Sequence, residues 1–289
     1  LAGKAQSRYK QQPKRKFIIM EILILFVLNL AAAALFMSAG WIVSLVKRNA
    51  AVADIFWGPG FVLVAWLTFF QAEGYFIRKL LLALMVTVWG LRLFIHIAGR
   101  SRGKGEDPRY AAWRAQYGEN FWIVSLYRVF LVQALFLWII ALGVQYGQVA
   151  ALPDRLTWLD GAGFLTWTAG LIIESVSDYQ LRRFLSVPEN RGRVMDQGLW
   201  RYSRHPNYFG EVLIWWGIFV MVLSCPLGFF TIVSPLVITY TLLKLTGVSL
   251  MEETEFSDNP EYQAYIGRTS AFVPWFPRNR QKKGTDHDK

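Results

Sequence analysis

The chain has 289 residues, 54% of them hydrophobic, with 13 Trp, 21 Phe and a formal net charge of +11. That apolar and aromatic content exceeds what a soluble domain of this length carries. A single cysteine, Cys225, and three scattered histidines, His96, His205 and His287, exclude an intrachain disulfide, a multi-cysteine zinc or iron–sulfur site and a histidine metal cluster.

The N-terminal stretch "KAQSRYKQQPKRK" is strongly basic, and Met20-Glu21 directly precedes the first apolar run. Residues 1–19 therefore read as an upstream extension or an expression remnant, not as a cleaved signal peptide. Seven segments follow that are apolar and long enough to cross about 30 Å of hydrocarbon as helices. They run roughly Ile22–Val46, Val52–Phe70, Ile77–Ala98, Phe121–Tyr146, Leu159–Val176, Tyr208–Leu223 and Leu227–Leu245. "SCPLG" joins the sixth to the seventh as a tight hairpin turn. The end of the chain, residues 281–289 with "GTDHDK", is polar and expected to be disordered. The predicted fold is all-α: a polytopic bundle of about seven transmembrane helices over residues 20–280.

Basic residues cluster on alternate loops. Lys47 and Arg48 follow the first span, and Arg100, Arg102, Lys104, Arg109 and Arg114 follow the third. Arg182, Arg183, Arg191, Arg193, Arg201 and Arg204 follow the fifth, and Arg268, Arg278, Arg280, Lys282 and Lys283 the seventh. The opposite loops carry only Arg78, Lys79 and Arg155. The positive-inside rule then assigns the basic loops and the C-terminus to the cytoplasm. The charge reflects topology in a multi-pass membrane protein and does not require a nucleic-acid partner. The basic residues before Met20 run against this order.

Three polar constellations interrupt the apolar pattern. In "RYSRHPNYFGE", Pro206 suits a first helical turn with His205 as the preceding cap residue. Asn207 and Glu211 are four apart and share a face, and Arg204 lies one turn before Tyr208. A helix N-terminus beside Arg201, Arg204 and His205 suits a phosphate; interfacial anchoring is the alternative, and the preferred one for Arg201. Glu211 falls inside an apolar span, where a carboxylate needs a partner or a role. In "ESVSDYQLRRF", Glu174, Asp178 and Arg182 recur at four-residue spacing. That pattern fits either an Asp–Arg helix pair or recognition of hydroxyls and amines on a nucleotide. The loop "SVPENRGRVMDQGLW" then carries Arg191 and Arg193 back to the helix start.

The third constellation contains Asp54 in "VADIFWGPGF" and Arg92 with His96 in "VWGLRLFIH". Arg92 lies deep enough to need a counter-charge, for which Asp54, Glu211 and a bound anion are candidates. The following "GRSRGKG" has neither GxGxxG nor GxxxxGK[ST], so neither a Rossmann nor a P-loop site is supported. After the last span, Glu252 and Glu253 fall on an amphipathic helix suited to the membrane surface.

The run "GLWRYSRHPNYFGE" resembles the C-terminal signature of membrane-bound steroid and sterol reductases. Together with "DIFWG", "WGLRL", "RGKGEDPRYAAWR" and "GRTSAFVPWFP", it places the resemblance with a bacterial branch of the steroid 5-alpha-reductase-like family. That resemblance implies seven helices with a cytoplasmic C-terminus, in a bacterial inner membrane. It also implies NADPH bound within the bundle and reduction of an activated carbon–carbon double bond in a steroid or isoprenoid lipid. It assigns Asn207 and Glu211 to the nicotinamide end, Asp178 and Arg193 to the adenosine and phosphate portions, and Arg92 and Tyr202 to further contacts. Arg102, Arg182, Arg204, His205 and Tyr208 complete the expected cofactor set.

The family's catalytic glutamate on the second helix falls close to Asp54, and its tyrosine on the third helix is replaced by Trp89. An indole N–H donates a hydrogen bond but is no acid at neutral pH. The same RHPxYxG core occurs in isoprenylcysteine carboxyl methyltransferases, which use S-adenosylmethionine. Glu211 after the final glycine matches the reductases instead. A non-enzymatic lipid-binding membrane protein is the third reading.

Overall fold

The computed structural model describes residues 2–103, 105–245 and 259–278, with side chains from Ile19 onward. Glu252, Glu253, Lys104 and the polar tail lie outside the described residues. Among those described, the regular elements are helices. They are α1 (Ala2–Lys47), α2 (Val52–Gln71), α3 (Phe76–Ser101), α4 (Pro108–Tyr117), α5 (Phe121–Ser125), α6 (Val132–Ile140), α7 (Leu142–Val149), α8 (Trp158–Leu185), α9 (Pro206–Val222), α10 (Val233–Tyr240) and α11 (Pro260–Arg268). Short 3-10 and π turns link several of them. The chain is an all-α polytopic membrane protein. Hydrocarbon offers a backbone no hydrogen-bond partner, so each crossing segment must satisfy its own.

Among the described residues, five helical stretches are long and apolar enough to cross a membrane: Ile19–Lys47, Val52–Gln71, Phe76–Ser101, Pro108–Ile140 and Gly228–Leu245. Three of the seven predicted spans differ. The fifth lies within α8, whose 28 residues also carry Asp160, Glu174, Asp178, Arg182 and Arg183. The sixth is α9, apolar but only 17 residues long. The fourth predicted span is broken at Ala141, between α6 and α7, and its helix begins earlier, at Pro108. The N-terminal helix runs without interruption through Met20.

Two compact units divide the chain. The first is Leu1–Gly161 with Phe219–Ser234; the second is Ala162–Ile218 with Pro235–Lys289. In the first, α2 packs on both α1 and α3. A Cβ on Gly58 would sit 2.4 Å from Gly90 O, so the α2 and α3 backbones touch. Buried polar groups in this unit hold one another. Asn29 Nδ2 donates to Thr68 Oγ1 at 2.8 Å and Gln145 Oε1 at 3.0 Å, tying α1, α2 and α7 together. Arg78, fully buried, donates to Asp160 Oδ1 at 2.7 Å and to the carbonyls of Pro153 and Arg155. Arg78 and Lys79, predicted as loop cations, are thus buried on α3.

In the second unit, α8 and α9 meet backbone to backbone. A Cβ on Gly170 would lie 2.6 Å from Gly210 O, and one on Gly210 would lie 2.6 Å from Glu174 N. Two turns on, a Cβ on Gly217 would lie 2.6 Å from Trp167 N and 2.7 Å from Gly163 O. Small residues repeated along one face allow this approach, as in other membrane helix pairs.

Gly210→Ala should therefore lower thermal stability in detergent by about 1–3 kcal/mol, the usual cost of overpacking. Gly161→Ala, where an added methyl meets nothing within 4 Å, should be neutral or slightly stabilising through helix propensity. Equal melting temperatures for Gly210→Ala and wild type would contradict the close contact.

Candidate functional site

The α8–α9 contact of the second unit brings the RHPNYFGE segment against the ESVSD segment. Pro206 opens α9, as the sequence predicts. Asn207 Nδ2 donates to Asp178 Oδ1 at 3.3 Å. Glu174, Asp178, His205 and Glu211 are all buried. The His205 ring stacks on Tyr208 with centroids 5.6 Å apart and planes 2° from parallel.

The loop before α9 is fixed on two sides. Toward α8, Trp200 Nε1 donates to Ser177 O at 3.1 Å and Leu199 N to Gln180 Oε1 at 3.0 Å. Toward the C-terminal segment, Ser203 Oγ donates to Phe272 O at 2.7 Å, and the Tyr265 hydroxyl donates to Trp200 O and Ser203 O. Burial pushes the Tyr265 phenol up, so it stays a donor.

The sequence-predicted cofactor residues divide by environment. Arg204 is buried, and its Nη1 donates to Thr269 O at 2.6 Å and Ile266 O at 3.2 Å. It satisfies the last carbonyls of α11, a role that the sequence does not reveal. Arg182 and Arg193 are exposed, and neither makes an ion pair among the described residues. Arg182 accordingly does not form the helix pair with Asp178 that its spacing allows. Tyr202 is partly exposed and sets its ring edge-on to Phe276 at 6.1 Å.

The first unit holds the remaining candidates. Asp54 sits in the first turn of α2. Its Oδ1 accepts from the Tyr110 hydroxyl and from Gln133 Nε2, each at 3.3 Å, and Gln133 Nε2 lies 3.4 Å from the Tyr110 oxygen. The cation beside it is Arg109, with Nη2 4.0 Å from Oδ2. Trp89 is fully buried on α3, edge-on to Phe61 at 5.2 Å. Arg92 is half-buried further along α3, and Arg102 is exposed at its C-terminal end.

A short acidic loop determines why Tyr110 reaches Asp54. Glu106 Oε1 accepts from Ala50 N, just before α2, at 2.7 Å. The same carboxylate is held by Arg114 Nε at 2.7 Å and Nη2 at 2.8 Å. Asp107 caps α4 by accepting from Arg109 N at 2.9 Å, with the Arg109 guanidinium also on its carboxylate. The start of α4 is thereby tied to the start of α2, and Tyr110 follows. The sequence signals the start of α4 through Asp107-Pro108. It carries no signal for Tyr110, Gln133 or Glu106 as neighbours of α2, because these pairings span 56 to 79 residues.

Residues 40–269 match the family model described as a protein of unknown function, DUF1295, and the chain belongs to that family. An uncharacterized protein of Schizosaccharomyces pombe is 26% identical over 285 residues, covering 86% of this chain and 79% of that protein. A stretch of 64 residues is 38% identical to bovine (Bos taurus) 3-oxo-5-alpha-steroid 4-dehydrogenase 1, covering 21% of this chain and 25% of that protein. No solved structure matches the chain.

The Glu106 tether has a pH signature. Burial alone would raise this carboxyl, but the Arg114 guanidinium and the Ala50 N–H hold it below the usual range. Its stabilisation is present in full above the ordinary Glu pKa of about 4.3 and is lost as pH falls through the lower native value. Glu106→Gln should cost about 1–3 kcal/mol at neutral pH, as loss of a charged hydrogen bond does. The wild-type melting temperature should fall on acidification below about pH 4 more steeply than that of the variant. Parallel pH profiles would remove Glu106 as the tether.

Proposed function

We propose that the chain is a membrane oxidoreductase that uses NADPH to reduce an activated carbon–carbon double bond in a steroid-like or isoprenoid lipid. In this reading the basic loops and C-terminus face the cytoplasm of a bacterial cell. The observation that supports it most is the Asn207–Asp178 contact beside buried Glu211, within the motif that resembles the reductase signature. The partial likeness to 3-oxo-5-alpha-steroid 4-dehydrogenase 1 points the same way.

The residues of the second unit fit a dinucleotide by their chemistry. A carboxamide and carboxylates suit the hydroxyls and carboxamide of such a molecule. Arg182 and Arg193, exposed and outside any ion pair among the described residues, suit its phosphates, which guanidinium binds bidentately. When bound, the nicotinamide supplies a hydride. Asn207 and Glu211 orient it, and the apolar helices around them keep water away.

In the first unit, Asp54, Tyr110 and Gln133 form a hydrogen-bonded group suited to a carbonyl oxygen. Hydride addition to a conjugated double bond builds negative charge on that oxygen, and a donor placed beside it lowers the barrier. Tyr110 is the phenol that Trp89 cannot replace as an acid.

The cofactor reading is tested by binding. Glu211→Gln keeps the shape and removes the charge, so it should weaken NADPH binding in a protein that still melts cooperatively. The wild type should prefer NADPH to NADH, since the arginines favour an extra phosphate. Unchanged affinity in the folded variant removes Glu211 from the site, and tighter binding of S-adenosylmethionine than of NADPH favours a methyltransferase.

The polarising group is tested separately. Asp54→Asn and Tyr110→Phe should both bind NADPH normally and slow turnover of a 3-oxo-4-ene steroid probe by more than about tenfold, or about 1.4 kcal/mol. Should both variants melt and turn over like wild type, Asp54 and Tyr110 have no part in the chemistry. A joint loss of melting temperature and cofactor affinity would instead make the group structural.

A further inference from the structure

Outside the residues assigned above, the second unit holds a cavity of about 460 Å³ walled by Arg201, Arg268, Arg278, Asp196, Thr269 and the Gly198 backbone. None of these belongs to the cofactor set. Three guanidiniums face one carboxylate, and Arg268 already takes that carboxylate in an ion pair. Among the described residues, Arg201 and Arg278 make no side-chain hydrogen bond or ion pair. A cavity with two spare guanidiniums attracts an anion, and planar guanidinium matches phosphate oxygens best.

The walls are set by backbone contacts. Arg278 N donates to Arg268 O at 2.9 Å, Trp275 N to Tyr202 O at 2.9 Å, and Arg204 N to Ser270 O at 2.9 Å. Gly198 adopts φ +59 where the loop turns over Gln180, a conformation that favours glycine. The arginines are thus presented on a fixed frame, which limits the ordering cost of binding.

The rim selects among anions. Trp275 and Phe276, immediately before Pro277 and Arg278, are 70% and 77% exposed. Tyr202, whose ring meets Phe276 edge-on at 6.1 Å, extends the same edge. Exposed aromatic rings beside arginines, in an integral membrane protein, are the composition of a bilayer interface: rings at headgroup level, cations at the phosphates. A free phosphate would have no use for the rings.

We propose that this cavity binds the phosphate of an anionic lipid headgroup, with Arg201 and Arg278 on the phosphate and Trp275 and Phe276 against the glycerol and upper acyl chain. The inference does not depend on the reductase reading.

The test uses the full chain purified in detergent, with dihexanoyl phosphatidic acid, dihexanoyl phosphatidylcholine and inorganic phosphate as probes and retained ligand counted by native mass spectrometry. Phosphatidic acid should bind more tightly than either other probe. Arg201→Gln with Arg278→Gln should weaken it by about tenfold or more, as expected for loss of charged hydrogen bonds. Trp275→Ala with Phe276→Ala should weaken the lipid while leaving inorganic phosphate unchanged. If the arginine double variant fails to fold, a salt titration of the wild type replaces it, and weaker retention at high salt is then expected.

Equal retention of phosphatidylcholine and phosphatidic acid would overturn the charge recognition. Inorganic phosphate binding as tightly as the lipid would overturn the lipid assignment. Displacement of the lipid by NADPH would return the cavity to the cofactor, whereas NADPH binding alongside it, or no NADPH binding at all, leaves the lipid site standing.

Discussion

The contact that the second unit depends on is one without side chains. Where Gly170 meets Gly210, and Gly163 meets Gly217, the backbones of α8 and α9 approach more closely than any Cβ permits. This distance lets the short amide of Asn207 reach the short carboxylate of Asp178. Longer side chains would have been needed across an ordinary helix pair, at a greater cost in ordering. The same approach buries Glu174 and Glu211 in apolar surroundings, where carboxylates are costly and therefore mark a function or a firm partner. Loop residues 198–204 then hang from α8 through Trp200 and Leu199 and from the C-terminal segment through Ser203, Arg204 and Tyr265.

The first unit solves the same positioning problem with charge as well as glycine. Gly58 and Gly90 bring α2 and α3 together. The start of α4 is held beside the start of α2 by Glu106, whose carboxylate bridges a backbone N–H and a guanidinium. Tethers of this kind depend on pH, whereas glycine contacts do not. The surroundings of Asp54 are therefore sensitive to pH through Glu106.

How much of this the sequence revealed depends on the range of each interaction. Pro206 as the first residue of α9, the hairpin at "SCPLG" and the main apolar helices follow from local pattern, and the structure has them. Two of the seven expected spans fall short of the length and apolarity of the other five: α8 continues past Val176 into Asp178 and two arginines, and α9 has 17 residues. Arg78 and Lys79 looked like loop cations because they lie at the edge of an apolar run; Asp160, 82 residues away, makes Arg78 interior. Tyr110 and Gln133 were invisible for a related reason. Which face of a helix meets which neighbour is tertiary information, and a single sequence carries little of it.

The same distinction separates structural from functional charge inside the apolar helices. By default an ionisable residue there suggests a site. Arg78 and Asp160 show why the default overstates: both are essentially without exposure, and Arg78 is further engaged by two carbonyls, so the pair has no capacity left for a ligand. Asn29, Thr68 and Gln145 hydrogen-bond one another within the core, with Asn29 Oδ1 left without a hydrogen bond among the described residues. Asp54 differs in kind. About a third of its side chain is accessible, as is that of Arg109, and the nearest cation stands at 4.0 Å. A buried pair that satisfies itself serves the fold. Asp54 and Arg109 leave part of each side chain accessible, the feature that the Arg78–Asp160 pair lacks.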